Sequence, residues 1–152
     1  MKLGSLFSGI GAFDLGLERA GLGPVVFQAE CDPYCLAVLA RHWPHVTRYD
    51  DVRLVDDRAP DVDVVCGGFP CQPVSLAGDR RFTSDERWLW PEYVRILETL
   101  RPKAAIIENV LGLRSRGLRT VLSDLARLGF DAEWARLSAA DLGAPHRRKR
   151  IF

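Results

Sequence analysis

Short apolar runs, separated by stretches of helical periodicity, constrain this chain more than any other feature of its sequence. Residues 3–7 form a short, largely apolar run that ends in "SGIG"; Phe13, Leu17 and Ala20 then recur at helical spacing until Gly21 and Gly23 stop them. "VVFQAE" is a second buried run, followed by a helix over 33–43 that begins at Asp32, a residue type suited to capping. "DVDVVCGG" follows an acidic loop over 50–63, and "RPKAAIIENV" follows a helix over about 91–100. Residues 118–128 give an amphipathic helix with Leu118, Val121, Leu122, Leu125 and Leu128 on one face, and "GFDAEWARLSA" reads as a strand. Strands that are apolar throughout and alternate with helices predict an α/β, doubly wound, mostly parallel sheet whose ligands sit at the carboxyl ends of the strands.

At 152 residues the chain fits one domain, 1–152, with no internal repeat or linker. The balance of 21 basic and 20 acidic residues gives a formal net charge of +1, so charge must be read locally. The four cysteines in so large and apolar a chain do not suggest a disulfide scaffold, and no leader-like segment precedes the first strand. A reducing, cytoplasmic setting is expected. No apolar run approaches the roughly 20 residues of a membrane-spanning helix.

The unusual residues gather at the predicted strand ends. In "FSGIGAFD", Gly9 and Gly11 sit between a strand and a helix entrance, where backbone and helix dipole meet a ligand. Glu30, 19 residues after Gly11, is placed to accept hydrogen bonds from ribose hydroxyls. A pyrophosphate-binding turn wants glycine at position 14; Asp14 stands there instead, which leans away from a nicotinamide dinucleotide and toward S-adenosylmethionine. Cys71, in "GGFPCQP", is either a nucleophile, which requires its thiolate, or a small loop residue. Glu108 in "IIENV" is either an acid raised toward neutrality by apolar neighbours or a strand-end carboxylate facing solvent. Arg148 and Arg150 share one face of an extended segment and suit phosphates and base edges, with a solvated basic stretch as the alternative. The pairs Cys31/Cys35 and Cys66/Cys71 have metal-ligand spacing, but Cys66 closes a buried strand and Cys35 shares a face with Leu39, so no metal is expected.

Taken in order, "FSGIGAFDLGLERAG", "GGFPCQPVSLAG", "IIENV" and "LGAPHRRKRIF" resemble the ordered motifs of the DNA cytosine-5 methyltransferase family, nearest its bacterial and phage restriction-modification members. The resemblance implies a Rossmann-like, S-adenosylmethionine-dependent fold and methyl transfer to carbon 5 of cytosine in double-stranded DNA. Cys71 would add to carbon 6, Glu108 would protonate or hydrogen-bond ring nitrogen 3, and Arg148, with Arg150 as the weaker candidate, would hold a flipped-out base. The segment 75–90, with Arg80, Arg81 and Arg87, resembles the loop that closes over that base. Around the cofactor it implies Phe7, Gly9, Ile10 and Gly11, with Glu30 on the ribose, Asp51 and Val52 near the adenine, Gly68 and Pro70 between cofactor and thiol, and Leu89 in contact. Cys31 departs from the bulky residue usual after the glutamate, and His146 from the glutamine usual before the arginine pair.

Family members continue past the arginine strand into a target-recognition region and closing motifs. The resemblance therefore implies a C-terminally incomplete catalytic region: a fragment, half of a split enzyme that needs a second chain, or the product of a shortened gene. An inactive remnant or cofactor-binding subunit is the rival expectation.

Overall fold

The computed structural model describes residues 1–70 and 88–152. Cys71 and the 75–87 part of the loop carrying Arg80, Arg81 and Arg87 lie outside the described residues. The chain forms two compact units, Met1–Gly68 with Arg95–Ile106, and Phe69–Val94 with Ile107–Phe152.

The first unit is built on a sheet in the order β3-β2-β1-β4-β5, with β1 Leu3–Leu6, β2 Val25–Ala29, β3 Thr47–Tyr49, β4 Val64–Gly67 and β5 Ala104–Ile107. β1 pairs in parallel with both β2 and β4, and β2 in parallel with β3. This is a doubly wound sheet, the class predicted from the alternation, in the Rossmann-like form that the resemblance implied. Chain order reverses between β1 and β4, and the crevice beyond their carboxyl ends is where such sheets bind ligands. Leu3, Leu6, Val25, Phe27, Val64 and Val65 are buried, as expected of strands covered on both faces. Gly4 gives the Phe27 ring its room, since a Cβ there would lie 2.3 Å from Phe27 Cε1.

Helices α1 (Ala12–Arg19) and α2 (Pro33–His42) fall where periodicity placed them. α2 begins with proline at N1 and with the Asp32 side chain accepting from Cys35 N–H, a cap worth about 1 kcal/mol. The acidic stretch after β3 contains a 3-10 turn, Val52–Leu54, held by Arg95, whose guanidinium donates to the carbonyls of Val55 at 2.7 Å and Val52 at 3.2 Å.

The second unit carries an antiparallel sheet in the order β6-β8-β7, with β6 Asn109–Val110, β7 Arg136–Ser138 and β8 Lys149–Ile151. Two expectations change here. "RPKAAIIENV" is not one strand: β5 stops at Ile107, and Asn109 starts a separate strand in another sheet, with Glu108 at the break. "GFDAEWARLSA" is strand only over Arg136–Ser138, which pair with β8, and Ala135 carries the ladder one step further by exchanging hydrogen bonds with Phe152 at 2.9 and 3.0 Å. Helix α3 (Trp90–Leu100) begins in this unit; α4 (Leu113–Arg116) and α5 (Leu118–Arg127) follow β6. Val121 and Leu125 of α5 are buried, as its apolar face requires. Phe69 anchors an aromatic cluster, with ring centroids 5.2 Å from both Trp88 and Trp90 and 6.4 Å from Tyr93. Trp90 Nε1 donates to Asp124 Oδ2 at 2.8 Å, tying the cluster to α5.

Candidate functional site

In the first unit the site begins where β1 ends. Phe7 has φ 54°, a left-handed conformation that costs a bulky residue energy and marks a turn the surroundings impose. Gly9 and Gly11 follow at φ 54° and 79°, and the Gly11 N–H donates to Ser8 O at 2.9 Å. The two glycines differ in what surrounds them. A Cβ on Gly11 would lie 2.4 Å from the Trp43 ring and 3.0 Å from Leu39, whereas one on Gly9 would meet nothing within 4 Å. Gly11 is needed for packing; Gly9 borders open space, beside Ile10, an apolar residue 54% exposed.

Glu30 closes the other side of this loop. Its Oε2 accepts from Gly9 N–H at 2.7 Å, and its Oε1 accepts from the N–H groups of Cys31 at 2.8 Å and Asp32 at 2.9 Å. Three amides occupy three of the carboxylate's four lone-pair sites, so one on Oε2 is left for a ribose hydroxyl. Asp51 accepts from Arg53 N–H at 2.9 Å, and that bond holds its carboxyl below the usual carboxylate range. Val52 is buried in the 3-10 turn. An open glycine edge, an exposed apolar residue and a carboxylate with one spare acceptor fit a nucleoside cofactor bound through its ribose.

Asp14 corrects a reading made from sequence. It does not face a ligand: it is fully buried, with Oδ1 accepting from Ser5 Oγ at 2.6 Å and Oδ2 from Gln28 Nε2 at 2.8 Å. Burial pushes its carboxyl up. Asp14 therefore ties α1 to β1 and β2 beneath the glycine loop, and its charge says nothing about which cofactor binds. Among the described cysteines, Cys66 is buried in β4 and burial, with Asp14 nearby, pushes its thiol up to about 12; Cys31 is exposed and Cys35 half-buried.

In the second unit the break between β5 and β6 organises the site. Asn109 is buried; its Nδ2 donates to Phe69 O at 3.0 Å and its Oδ1 accepts from Val110 N–H at 2.8 Å. The peptide two residues before Cys71 is thus gripped from both ends, by the Phe69 ring in its aromatic cluster and by Asn109 on its carbonyl. Pairing of Val110 with Arg150 across β6 and β8 brings Arg150 Nε to 2.6 Å from Glu108 Oε1. Glu108 has a guanidinium partner rather than the wholly apolar surroundings read from "IIENV". Arg148 precedes β8 with an exposed side chain, and its backbone N–H lies 3.4 Å from His146 Nδ1. Gly68 and Leu89 are half-buried and Pro70 is exposed.

The family model for C-5 cytosine-specific DNA methylases matches residues 1–152. The chain belongs to that family. Among methylase relatives, it is 35% identical to the type II methyltransferase M.DsaV of Dactylococcopsis salina, over 100% of this chain and 44% of the relative. It is 40% identical to M.HgiBI of Herpetosiphon aurantiacus, over 97% and 35% respectively. Its fold matches that of the S. pombe Dnmt2 methyltransferase, with TM-score 0.79 at 20% identity, over 99% of this chain and 49% of that one. The chain spans about two fifths of the length of the curated methylases it matches.

Within this methylase chain, sequence reasoning missed Asp14 as a buried tie and Asn109 as a grip on the Pro-Cys turn. A signal for the first was present: Ser5 and Gln28 are polar residues inside otherwise apolar strands, and buried polar groups demand partners.

Proposed function

We propose that this chain is the cofactor-binding and catalytic region of an enzyme that moves a methyl group from S-adenosylmethionine to carbon 5 of cytosine in DNA. The cofactor, when bound, supplies an electrophilic methyl group on a sulfonium. Gly9 lets it approach the backbone, Ile10 offers an apolar contact, and Glu30 takes one ribose hydroxyl. Asp51 and Val52 lie toward the adenine, and the family resemblance assigns Gly68 and Pro70 to the passage between cofactor and thiol and Leu89 to a cofactor contact.

Cys71 adds as a thiolate to carbon 6 of a flipped cytosine, which makes carbon 5 nucleophilic enough to take the methyl group. Loss of the carbon 5 proton then expels the thiol. Glu108 protonates, or donates a hydrogen bond to, ring nitrogen 3, Arg150 fixes the direction of that carboxyl, and Arg148 reaches the base. The observation that carries this reading is the pair of ties on adjacent residues, Glu108 to Arg150 and Asn109 to Phe69, which link the acid to the turn leading into Cys71. The relatives are type II methyltransferases more than twice as long as this chain, and the fuller reading is a cytoplasmic restriction-modification enzyme whose target recognition lies outside residues 1–152. No helix among the described residues is long and apolar enough to cross a membrane.

The test is incubation with S-adenosylmethionine and duplex DNA carrying 5-fluorocytosine, which cannot lose its carbon 5 substituent and so traps the thiol adduct. A covalent complex that disappears in Cys71→Ser is expected, from the chain alone or with a polypeptide carrying the rest of the family length. No complex in either setting refutes the reading.

A further inference from the structure

The chain's net charge of +1 conceals a difference in charge between the two units. The first unit has nine basic and eleven acidic residues, and the second has twelve basic and nine acidic, so the excess positive charge belongs to the unit that holds Glu108, Asn109 and Arg150. Part of that excess is concentrated just after β6. Arg114 and Arg116 on α4 and Arg119 at the start of α5 fall within six residues of one another and are all exposed. Among the described residues none of the three forms an ion pair. The acids closest along the chain are already engaged: Glu108 by Arg150 at 2.6 Å, and Asp124 by Trp90 Nε1 at 2.8 Å with Arg127 at 4.0 Å.

The three guanidinium groups repel one another and none has an acid at i±4 to pair with, although Arg114 and Arg116 lie in the last turn of α4, where the helix dipole favours cations. Their position has a further use. Arg114 is six residues from Glu108, so even fully extended chain keeps its Cα within about 20 Å of the Glu108 Cα. That is about the width of a DNA duplex. Arginine forks suit phosphate oxygens, and contacts of this kind fix orientation on a duplex without reading its sequence.

We propose that Arg114, Arg116 and Arg119 form a docking surface for the sugar-phosphate backbone of duplex DNA beside the target cytosine. The proposal rests on the methylation reading above and names a part of the DNA contact that none of the candidate catalytic residues supplies. Each phosphate contact releases condensed counterions, so the surface has a quantitative signature: about 0.9 in the slope of log affinity against log salt for each arginine.

Binding of a fluorescent duplex is measured by anisotropy between 50 and 200 mM salt, on the unmodified chain and on the triple variant Arg114→Gln/Arg116→Gln/Arg119→Gln. The unmodified chain should lose about 40-fold more affinity across that range than the triple variant. Arg19→Gln/Arg41→Gln, which neutralises exposed arginines of the first unit, should leave the slope unchanged. Circular dichroism confirms that each variant is folded. An unmodified chain without salt-dependent affinity for duplex DNA, or a triple variant with the same slope, overturns the proposal. The measurement needs no turnover: a flattened slope with no fluorocytosine adduct would sink the catalytic reading alone, and an adduct with an unchanged slope would sink this one alone.

Discussion

Replacing Gly9 and Gly11 separately by alanine distinguishes a glycine kept for a ligand from one kept for the fold. Both have positive φ, so each alanine pays about 1–2 kcal/mol for a left-handed backbone. At Gly11 the new methyl would also stand 2.4 Å from the Trp43 ring and 3.0 Å from Leu39, which adds an overpacking cost of about 1–3 kcal/mol. A total of about 2–5 kcal/mol in a chain of this size lowers Tm by roughly 5–20 °C. At Gly9 nothing lies within 4 Å, so only the backbone cost applies and Tm should fall by roughly 2–8 °C. The order reverses for S-adenosylmethionine. A methyl on Gly9 projects into the space assigned to the cofactor, and an overlap of about 1–3 kcal/mol weakens Kd roughly 5- to 150-fold. Differential scanning fluorimetry gives the first quantity and titration calorimetry the second. If Gly9→Ala binds S-adenosylmethionine as tightly as the unmodified chain, the cofactor does not lie against this loop; if it melts as early as Gly11→Ala, the reading of the open space is wrong.

Two further outcomes are expected. Asn109→Asp keeps an acceptor for Val110 N–H but removes the donor to Phe69 O, leaving a buried carbonyl unsatisfied at about 1–3 kcal/mol; trapping on fluorocytosine DNA should slow at least about tenfold while cofactor Kd stays unchanged, and an unchanged trapping rate would refute a positioning role. Asp14 holds its proton to higher pH when folded than when unfolded, so its contribution to stability is full below the unfolded value near 3.8 and is lost as pH rises through the raised folded value. Asp14→Asn should flatten the decline in denaturant midpoint that begins near pH 4, and a pH profile identical to that of the unmodified chain would contradict this.

What could be read from the sequence was what local physics decides. α2 was legible because its cap, Asp32, and its first-turn proline are adjacent to the residues they organise. β1, β2 and β4 were legible because burial on both faces leaves a largely apolar run, interrupted only by Ser5 and Gln28. β3 was missed: Thr47–Tyr49 is three residues long, has no such run, and is a strand only because it pairs with Phe27–Ala29. The division of "IIENV" between two sheets depends on Ile151, paired with Asn109, and on Phe69 40 residues earlier. The order of glycines, glutamate and arginines carries the family resemblance, but the partnership of Arg150 with Glu108 follows from a strand register that no local pattern encodes. Asp14 was misplaced because an acid near a glycine turn suggests a ligand, whereas its first-turn position on α1 turns it toward Ser5 and Gln28.

The meeting of β1 and β4 also limits what protein engineering can do with this scaffold. At Gly67 a side chain would begin 2.0 Å from the carbonyl oxygen of Leu6, its partner in the ladder, so β4 can carry no side chain at that position. Directed evolution therefore has nothing to vary at position 67, where the strand order reverses. On the cofactor placement proposed above, altered preference is selected at Ile10 and Cys31, both exposed, whose replacement leaves that contact intact.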